Sequence, residues 1–127
     1  MQNWSGKKIL IVDDAALPRE MLKRAYSDIG LNIVGFAFSG VEAIEKVQAL
    51  KPDVISLDVI MPDMHGIDCF RQLRAADSAA RIVLCTCLEL EKLALAYPDE
   101  IAPEQMVHKP PQDNELSHAL SFLFNKA

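Results

Sequence analysis

The chain has 127 residues, of which 50% are hydrophobic and 24% are charged, and its formal net charge is -5 at pH 7. This composition is typical of one ordinary globular domain and excludes a disordered or fibrous chain, while the acidic balance argues against direct nucleic-acid binding, which needs clustered Lys and Arg. No apolar stretch approaches the roughly 20 residues that span a bilayer, and the first residues lack a signal peptide's apolar segment, so we expect a cytoplasmic protein without membrane insertion.

A pair of acids separates the first predicted strand from the first predicted helix. Residues 8–12 form a largely apolar, β-branched run, which predicts a strand buried on both faces, and this run stops at Asp13 and Asp14. A helix is predicted next, because Pro18 suits a first helical turn and Gly30 suits a helix end. Its apolar stripe recurs at helical spacing: Met21, Leu22, Ala25 and Ile29.

The same pattern then repeats with a second strand and a second helix. Residues 33–38 are strand-like, Ser39 and Gly40 can cap the following helix, and Pro52 requires that helix to end before it. The apolar stripe of this helix is Ala43, Ile44, Val47 and Leu50.

The third predicted strand also runs into an acid. Residues 54–57 lead directly to Asp58, and residues 61–66 have the composition of a loop. A third helix follows, and the fourth strand, residues 81–85, leads to Thr86. The apolar positions of the third helix are Ile67, Phe70 and Leu73.

The last third of the chain is interrupted by prolines. Residues 88–97 are typical of a helix, and Pro98 and Pro103 break the segment after this helix. A short strand is predicted over residues 105–108, and it ends at Lys109. A final helix carries the apolar stripe Leu116, Ala119, Leu120 and Leu123.

Strands and helices that alternate, with strands buried on both faces, require a parallel sheet joined by right-handed helical crossovers. The predicted fold is therefore a doubly wound α/β domain with helices on both faces. In such sheets the functional groups lie outside the carboxyl ends of the strands, where the winding reverses. The residues at these ends are Asp13, Asp14, Asp58, Thr86 and Lys109.

These strand-end residues suit phosphoryl transfer. Carboxylates at one sheet edge repel one another unless a cation joins them, and oxygen-only ligands favour Mg²⁺. Lys109 supplies a positive charge and Thr86 a hydroxyl donor, both of which can neutralise phosphoryl oxygens. Asp58 is the expected nucleophile, because it stands alone at its strand end with a loop behind it.

Four segments resemble the response-regulator receiver family in their order and spacing, and the resemblance covers nearly the whole chain. They are residues 9–14, 52–66, 84–86 and 109–110. The resemblance implies a flavodoxin-like sheet of five parallel strands in the order 2-1-3-4-5. It also implies a single receiver domain over residues 1–127, with a core of about 7–125.

The resemblance further implies which residues act. Asp58 would accept a phosphoryl group from a histidine kinase or a histidine phosphotransfer protein. Mg²⁺ would be held by Asp14, Asp58 and the backbone carbonyl of Ile60, with Asp13 acting mainly through a metal-bound water. The protein would therefore be a signalling module rather than an enzyme acting on another substrate.

By the same resemblance, Thr86 and Lys109 would hold phosphoryl oxygens, and the peptide bond between Lys109 and Pro110 would be cis. Phosphorylation would change the binding of a downstream protein on the face formed by the fourth helix, the fifth strand and the fifth helix. The chain is expected either to act alone or to be the receiver part of a longer regulator.

The sequence leaves other interpretations open. Each acid could simply cap a helix or form a turn, although the joint pattern favours a site. A haloacid-dehalogenase phosphatase would need a second Asp at the position of Ile60, and a flavodoxin-like flavin site would be repelled by Asp13 and Asp14. A receiver that signals without phosphorylation is a further alternative.

Several positions depart from the family pattern. Met106 occupies the usual place of an aromatic switch residue, which predicts a weaker or differently built switch. Cys87 and Ile60 lie where side chains screen the acyl phosphate, so we expect slower loss of phosphate. Two groups of apolar residues predict a surface for a partner or a homodimer rather than additional core. They are a patch on the helix after the fourth strand and one Phe outside the apolar stripe of the final helix: Leu88, Leu90, Leu93, Leu95 and Phe122.

The cysteines and histidines do not predict a metal site of their own. Cysteines 69, 85 and 87 are expected to be reduced and packed as small apolar groups, and a zinc site of Cys85, Cys87 and His108 is disfavoured by its spacing. The histidines fall on a loop, a strand and a helix and converge on no partner: His65, His108 and His118.

Overall fold

The structure is a computed structural model. It describes residues 4–61, 63–77, 79–86, 90–112 and 114–125, with only the backbone of residues 90 and 91. The predictions for Cys87, Leu88 and the Leu90 side chain therefore lie outside the described residues.

Five strands and five helices alternate along the described residues. The strands are β1 (Lys8–Val12), β2 (Asn32–Ala37), β3 (Val54–Asp58), β4 (Ile82–Thr86) and β5 (Met106–His108). The helices are α1 (Ala16–Asp28), α2 (Gly40–Leu50), α3 (Gly66–Ala76), α4 (Leu90–Ala96) and α5 (Glu115–Asn125), with a 3-10 turn at Pro103–Gln105.

All strand pairs in the sheet are parallel, and the strand order is β2-β1-β3-β4-β5. On one face, α1 and α5 pack side chains such as Leu22 and Leu120 against the sheet. On the other face, α2, α3 and α4 contribute Ala43, Phe70 and Leu93 to a second apolar cluster. The doubly wound fold and the order 2-1-3-4-5 are thus confirmed.

Element ends differ from the prediction where a side chain replaces a strand partner. Residue 38 was expected in β2, but the N–H of Phe38 donates to the Glu42 carboxylate at 2.7 Å and the strand ends at Ala37. Gln105 was expected in β5, but it closes the 3-10 turn, and its amide nitrogen donates to the Ile82 carbonyl at 2.8 Å. Side-chain hydrogen bonds therefore accompany both of these ends.

A polar cluster lies inside the face covered by α1. The Tyr26 hydroxyl, on a side chain with no exposed surface, donates to Ser56 Oγ at 2.9 Å, and Cys85 Sγ lies 3.4 Å from the same oxygen. Burial raises the pKa of Tyr26 well above its ordinary value, so the hydroxyl keeps its proton. Cys85 is a free, buried thiol, as the sequence predicted.

Removing the Tyr26 hydroxyl should weaken the fold measurably. We expect Tyr26→Phe to lower the free energy of unfolding by about 1–2 kcal/mol, because a buried hydrogen bond between α1 and β3 is lost. Urea unfolding can be followed through Trp4, the single tryptophan, which is 2% exposed. A double-mutant cycle with Ser56→Ala should give a non-zero coupling energy, and strictly additive losses would contradict the bond's contribution.

The amino-terminal segment closes the edge of the sheet at which the strands begin. Trp4 Nε1 donates to the carbonyl of Ile29 at 3.0 Å, and the N–H of Gly6 donates to Gly30 at 2.8 Å. Gly30 has φ of 102°, which favours glycine and agrees with its predicted place at the end of α1. None of the helices in the described ranges is long and apolar enough to cross a membrane.

Candidate functional site

The carboxyl ends of four neighbouring strands bring the predicted site residues together. Asp13 follows β1, Asp58 is the last residue of β3, Thr86 is the last residue of β4, and Lys109 follows β5. Parallel strands place all these ends on one edge of the sheet, and β1 and β3 are hydrogen-bonded neighbours at its centre.

Three carboxylates form one cluster at this edge. Oxygens of Asp13, Asp14 and Asp58 all lie within 4.8 Å of one another, and no other group of this kind was found among the described residues. Asp13 is fully buried and Asp58 is 6% exposed, whereas Asp14 is exposed to solvent. The cluster offers only oxygen ligands and is open on one side, which suits a hard divalent cation that keeps several waters.

Lys109 joins two of the three acids. Its Nζ donates to Asp13 Oδ2 at 2.7 Å and lies 3.2 Å from Asp58 Oδ2, on a side chain only 12% exposed. Burial alone would lower the pKa of Lys109, but its bonds to Asp13 and the negative charge of Asp58 outweigh burial and raise it. Lys109 is therefore a fixed positive charge beside Asp58 at neutral pH.

The negative charge of Asp58 is only partly compensated by its neighbours. Burial raises its pKa, and the nearby charge of Asp13 adds to that rise, although Lys109 and the N–H of Ile60, at 3.2 Å from Oδ1, act in the opposite direction. One lysine thus does not fully offset the negative charge at this edge. A divalent cation fits the cluster, because it would supply the missing positive charge to oxygen ligands already gathered there.

The turn after β1 is held by bonds that the sequence did not reveal. Asp13 Oδ1 accepts the N–H of Ala15 at 2.9 Å, and its backbone carbonyl accepts Arg19 Nη1 at 3.1 Å. The Arg19 guanidinium also stacks on the Phe38 ring at 4.3 Å from its centre. Arg19 therefore connects the acidic turn to the end of β2, a link that no local sequence pattern predicts.

Thr86 and the loop after Lys109 complete the edge. Thr86 is fully buried, and its carbonyl accepts the N–H of Lys109 at 2.9 Å, which fixes the end of β5 beside that of β4. The peptide bond between Lys109 and Pro110 is cis, as the resemblance implied. The Ile60 side chain is 51% exposed at the mouth of the site.

None of the three histidines belongs to the cluster of Asp13, Asp14 and Asp58. His65 caps α3, with Nδ1 accepting the N–H of Ile67 at 3.1 Å, while His108 Nδ1 lies 3.6 Å from a Glu115 oxygen. His118 is on the exposed side of α5.

The apolar residues near α4 and α5 divide between the core and the surface. Leu93 is 8% exposed and Phe122 packs against the core, whereas Leu95 is 81% exposed. Met106, at the usual place of an aromatic switch residue, is 6% exposed and packs in the same cluster as Leu93. Among the described side chains, Leu95 is thus the exposed part of the predicted patch.

A doubly wound parallel sheet with three carboxylates and a lysine at its carboxyl edge defines a receiver-type signalling domain. The family model of the response regulator receiver domain matches residues 9–121. The chain therefore belongs to the response regulator receiver family. This membership favours the receiver interpretation over the phosphatase and flavin-binding alternatives.

Individual relatives agree with this assignment. The chain is 37% identical over 116 residues to the chemotaxis protein CheY of Thermotoga maritima, covering 91% of this chain and 96% of that protein. Among solved structures, a LuxR-family response regulator from Aurantimonas sp. SI85-9A1 matches with a TM-score of 0.84 and 29% identity, covering 95% and 86% of the two chains. A CheX-CheY-BeF3-Mg complex from Borrelia burgdorferi matches at 0.83 and 27% identity, covering 94% and 90%.

Proposed function

We propose that residues 1–127 form one receiver domain that accepts a phosphoryl group on Asp58. The donor is the phosphohistidine of a histidine kinase or of a histidine phosphotransfer protein. One observation carries the proposal: the Asp58 carboxylate lies 3.2 Å from Lys109 Nζ and within 4.8 Å of two further carboxylates. A carboxylate can receive a phosphoryl group only where the negative charges of both groups are neutralised. At this edge of the sheet, Lys109 and a cation held by the carboxylates would neutralise them.

The residues that would hold Mg²⁺ are Asp14, Asp58 and the backbone carbonyl of Ile60, with Asp13 contributing through a bound water. The cation, when bound, neutralises negative charge on the phosphoryl oxygens. Support comes from the clustered oxygens and from the raised pKa of Asp58. It also comes from the Borrelia burgdorferi CheY, whose structure contains BeF3 and Mg.

In the transfer step, one carboxylate oxygen of Asp58 forms a bond to phosphorus as the bond between phosphorus and the donor's imidazole nitrogen breaks. The electron pair of the broken bond stays on that nitrogen. Lys109 holds a positive charge against the phosphoryl oxygens, and the Thr86 hydroxyl donates a hydrogen bond to one of them. Both residues act mainly by position, since catalysis of this reaction consists largely of orientation and charge neutralisation.

The output of the domain is a change in partner binding on the face formed by α4, β5 and α5. Thr86 is the last residue of β4, and Met106 is the first residue of the neighbouring strand β5, which belongs to this face. Because Met106 stands where an aromatic residue is usual, we expect phosphorylation to change this face less than it would with an aromatic ring. A downstream protein, or a second copy of the chain, would contact this face through exposed groups such as Leu95.

Mass spectrometry tests the phosphoryl transfer directly. The protein is incubated with acetyl phosphate and Mg²⁺, and the intact mass should rise by one phosphoryl group located in the peptide that contains Asp58. No rise should occur when EDTA removes the cation. A pull-down with and without beryllofluoride then tests the output, because a ligand shifts partner binding only through different affinities for the two states. No mass gain in the presence of Mg²⁺ would overturn the proposal.

Magnesium should also stabilise the fold through Asp14. At a concentration about 100 times its Kd, Mg²⁺ should raise the free energy of unfolding of the wild type by about 2.7 kcal/mol. Asp14→Asn removes a proposed ligand, and we expect its Mg²⁺ affinity to fall by more than about tenfold. Urea unfolding at several Mg²⁺ concentrations measures both effects.

Asp99→Asn is the matched control for Asp14→Asn. Asp99 is an exposed acid between α4 and β5, at the opposite edge of the sheet, so the same charge is removed away from the cluster. This control should keep the wild-type response to Mg²⁺. An equal loss in both variants would mean that net charge, rather than ligation by Asp14, governs the response.

A further inference from the structure

The loop after the phosphoacceptor strand is bound to the first turn of a helix elsewhere in the chain. The described residues of this loop, the β3–α3 loop, are 59–61 and 63–65. Asp63 Oδ1 accepts the N–H of Gly40 at 2.9 Å, and Oδ2 accepts the N–H of Val41 at 3.0 Å. These two bonds lower the pKa of Asp63, so the carboxylate is ionised at neutral pH.

Asp63 completes the hydrogen bonding of this helix end. The first N–H groups of a helix have no partner within it. In α2, the third of these groups, that of Glu42, donates to Ser39 Oγ at 3.1 Å, and the regular helical bonds begin with the N–H of Ala43, which donates to the Ser39 carbonyl at 3.0 Å. Gly40 and Val41 are the first two, and both donate to Asp63. A negative charge also suits the positive end of the helix dipole.

Other residues of the loop also contact the first turn of α2 or close the base of the loop. A Cβ atom added to Gly40 would lie 2.3 Å from Met64 Cγ, so the Met64 side chain occupies the space that glycine leaves open on α2. At the base of the loop, the N–H of Gly66 donates to the Val59 carbonyl at 2.6 Å. The described loop residues are thus held at the base and, through Asp63, near the middle.

Ile60 lies between these two attachments. Its N–H donates to Asp58 Oδ1 at 3.2 Å, so the position of the Ile60 backbone and the orientation of the Asp58 carboxylate depend on each other. Ile60 contributes no large buried side chain that could hold this segment, since 51% of it is exposed. The next residue, Met61, packs against the apolar cluster beneath α2 and α3. Among the described residues after it, Asp63 supplies the nearest hydrogen bonds that hold the loop on its carboxyl-terminal side.

We infer that Asp63 is a positioning residue for the phosphorylation site: by binding the first turn of α2, it holds the Ile60 backbone in the conformation that completes the cation site. The inference deepens the proposed function and depends on it. A loop that is already ordered loses less conformational entropy when the cation binds, so the affinity is higher. Residues that orient metal ligands typically change affinity or activity by about 10- to 100-fold when they are replaced.

The test measures Mg²⁺ binding and phosphorylation separately in Asp63→Ala. Calorimetric titration with MgCl2 should give a Kd about tenfold above that of the wild type, the low end for an exposed positioning group. The rate of phosphorylation by acetyl phosphate should fall by a similar factor at limiting Mg²⁺ and recover at saturating Mg²⁺. Asp63→Asn keeps one acceptor oxygen for the two N–H groups, and we expect an intermediate Kd.

Asp53→Ala is the matched control for a general loss of stability. Asp53 Oδ2 accepts the N–H of Lys8 at 2.8 Å at the opposite edge of the sheet, so the change removes one carboxylate and a comparable side-chain bond. Fluorescence of Trp4, which lies at that opposite edge, establishes that each variant is folded. The control should keep the wild-type Kd for Mg²⁺.

The outcomes separate the inference from the proposed function. A wild-type Kd in Asp63→Ala, with normal binding and phosphorylation of the wild type, would overturn the role of Asp63 alone. Equal losses in Asp63→Asn and Asp63→Ala that disappear at high salt would also overturn it, because they would indicate a through-space effect of charge. A wild type that neither binds Mg²⁺ nor gains a phosphoryl group would instead refute the proposed function.

Discussion

The Asp58→Asn variant will gain no mass from acetyl phosphate and Mg²⁺, and in magnesium-free buffer it will be harder to unfold than the wild type. The first result follows because an amide cannot replace the carboxylate nucleophile. The second follows because Asp58 is 6% exposed and lies within 4.8 Å of two other acids. Removing its charge should raise the free energy of unfolding by about 1 kcal/mol, the usual size of a single-residue effect.

The pH dependence of this gain has a definite sign. Burial raises the pKa of Asp58 in the folded state above its ordinary value of 3.8. The folded state therefore holds this proton more tightly than the unfolded chain does, and protonation of Asp58 favours folding. That contribution is fully present below the ordinary pKa and is lost as the pH rises through the raised one. The advantage of Asp58→Asn should thus be smallest in acid and largest at neutral pH.

Urea unfolding at several pH values, followed through Trp4, measures the difference between the two proteins. Saturating Mg²⁺ should make the wild type more stable than Asp58→Asn, because the wild type gains binding energy that the variant largely lacks. Asp99→Asn, which removes an exposed charge, should stay close to the wild type throughout. A phosphorylated Asp58→Asn would refute the assignment of the acceptor. A variant that is less stable than the wild type at neutral pH would refute the electrostatic argument.

The sequence predicted the site because its residues follow apolar runs. The buried runs that end at Asp13 and Asp58 indicate neighbouring strands, and parallel strands necessarily bring their carboxyl ends to one edge. Thr86 and Lys109 follow from the same rule. Their meeting at one edge needed no side-chain detail, since the strand pattern alone determines it. Their roles in phosphoryl transfer were argued from their chemistry and from the resemblance, and these roles remain predictions.

The residues that sequence reasoning missed bind partners that are distant along the chain. Asp63 bonds to Gly40, which lies 23 residues away, and Gln105 bonds to Ile82, also 23 residues away. These bonds depend on how loops fold over neighbouring helices, and loop conformation is not encoded in a periodic pattern. Gly66 lies in a segment that carries the family resemblance, but the need for glycine there comes from close contact with backbone atoms of Asp58 and Val59, which only the structure shows.

Gly66→Ala should be among the most damaging single changes near the site. A Cβ atom at Gly66 would lie 2.4 Å from the Asp58 carbonyl oxygen and 2.4 Å from Val59 Cα. Both are backbone atoms, and the Gly66 N–H also donates to the Val59 carbonyl at 2.6 Å, so neither side can move without breaking that bond. We expect a loss of about 3 kcal/mol in the free energy of unfolding.

The clash should reach the chemistry as well as the fold, because the crowded atoms belong to Asp58 and the residue after it. We expect phosphorylation of folded Gly66→Ala by acetyl phosphate to be more than about tenfold slower than that of the wild type even at saturating Mg²⁺, since the displaced residue is Asp58, the proposed nucleophile. This separates it from Asp63→Ala, whose rate should recover at saturating Mg²⁺. Urea unfolding and the rate of mass gain test the two effects independently.

Gly40→Ala is the control for this substitution, because there the crowding involves a flexible side chain. The added Cβ would meet Met64 Cγ at 2.3 Å and Sδ at 2.5 Å, and methionine can adopt another rotamer. We expect Gly40→Ala to lower the free energy of unfolding by about 1 kcal/mol. Adding Met64→Ala should relieve the crowding in Gly40→Ala but not in Gly66→Ala. If Gly66→Ala were as stable as Gly40→Ala, the close approach of α3 to β3 would not be a constraint on this site.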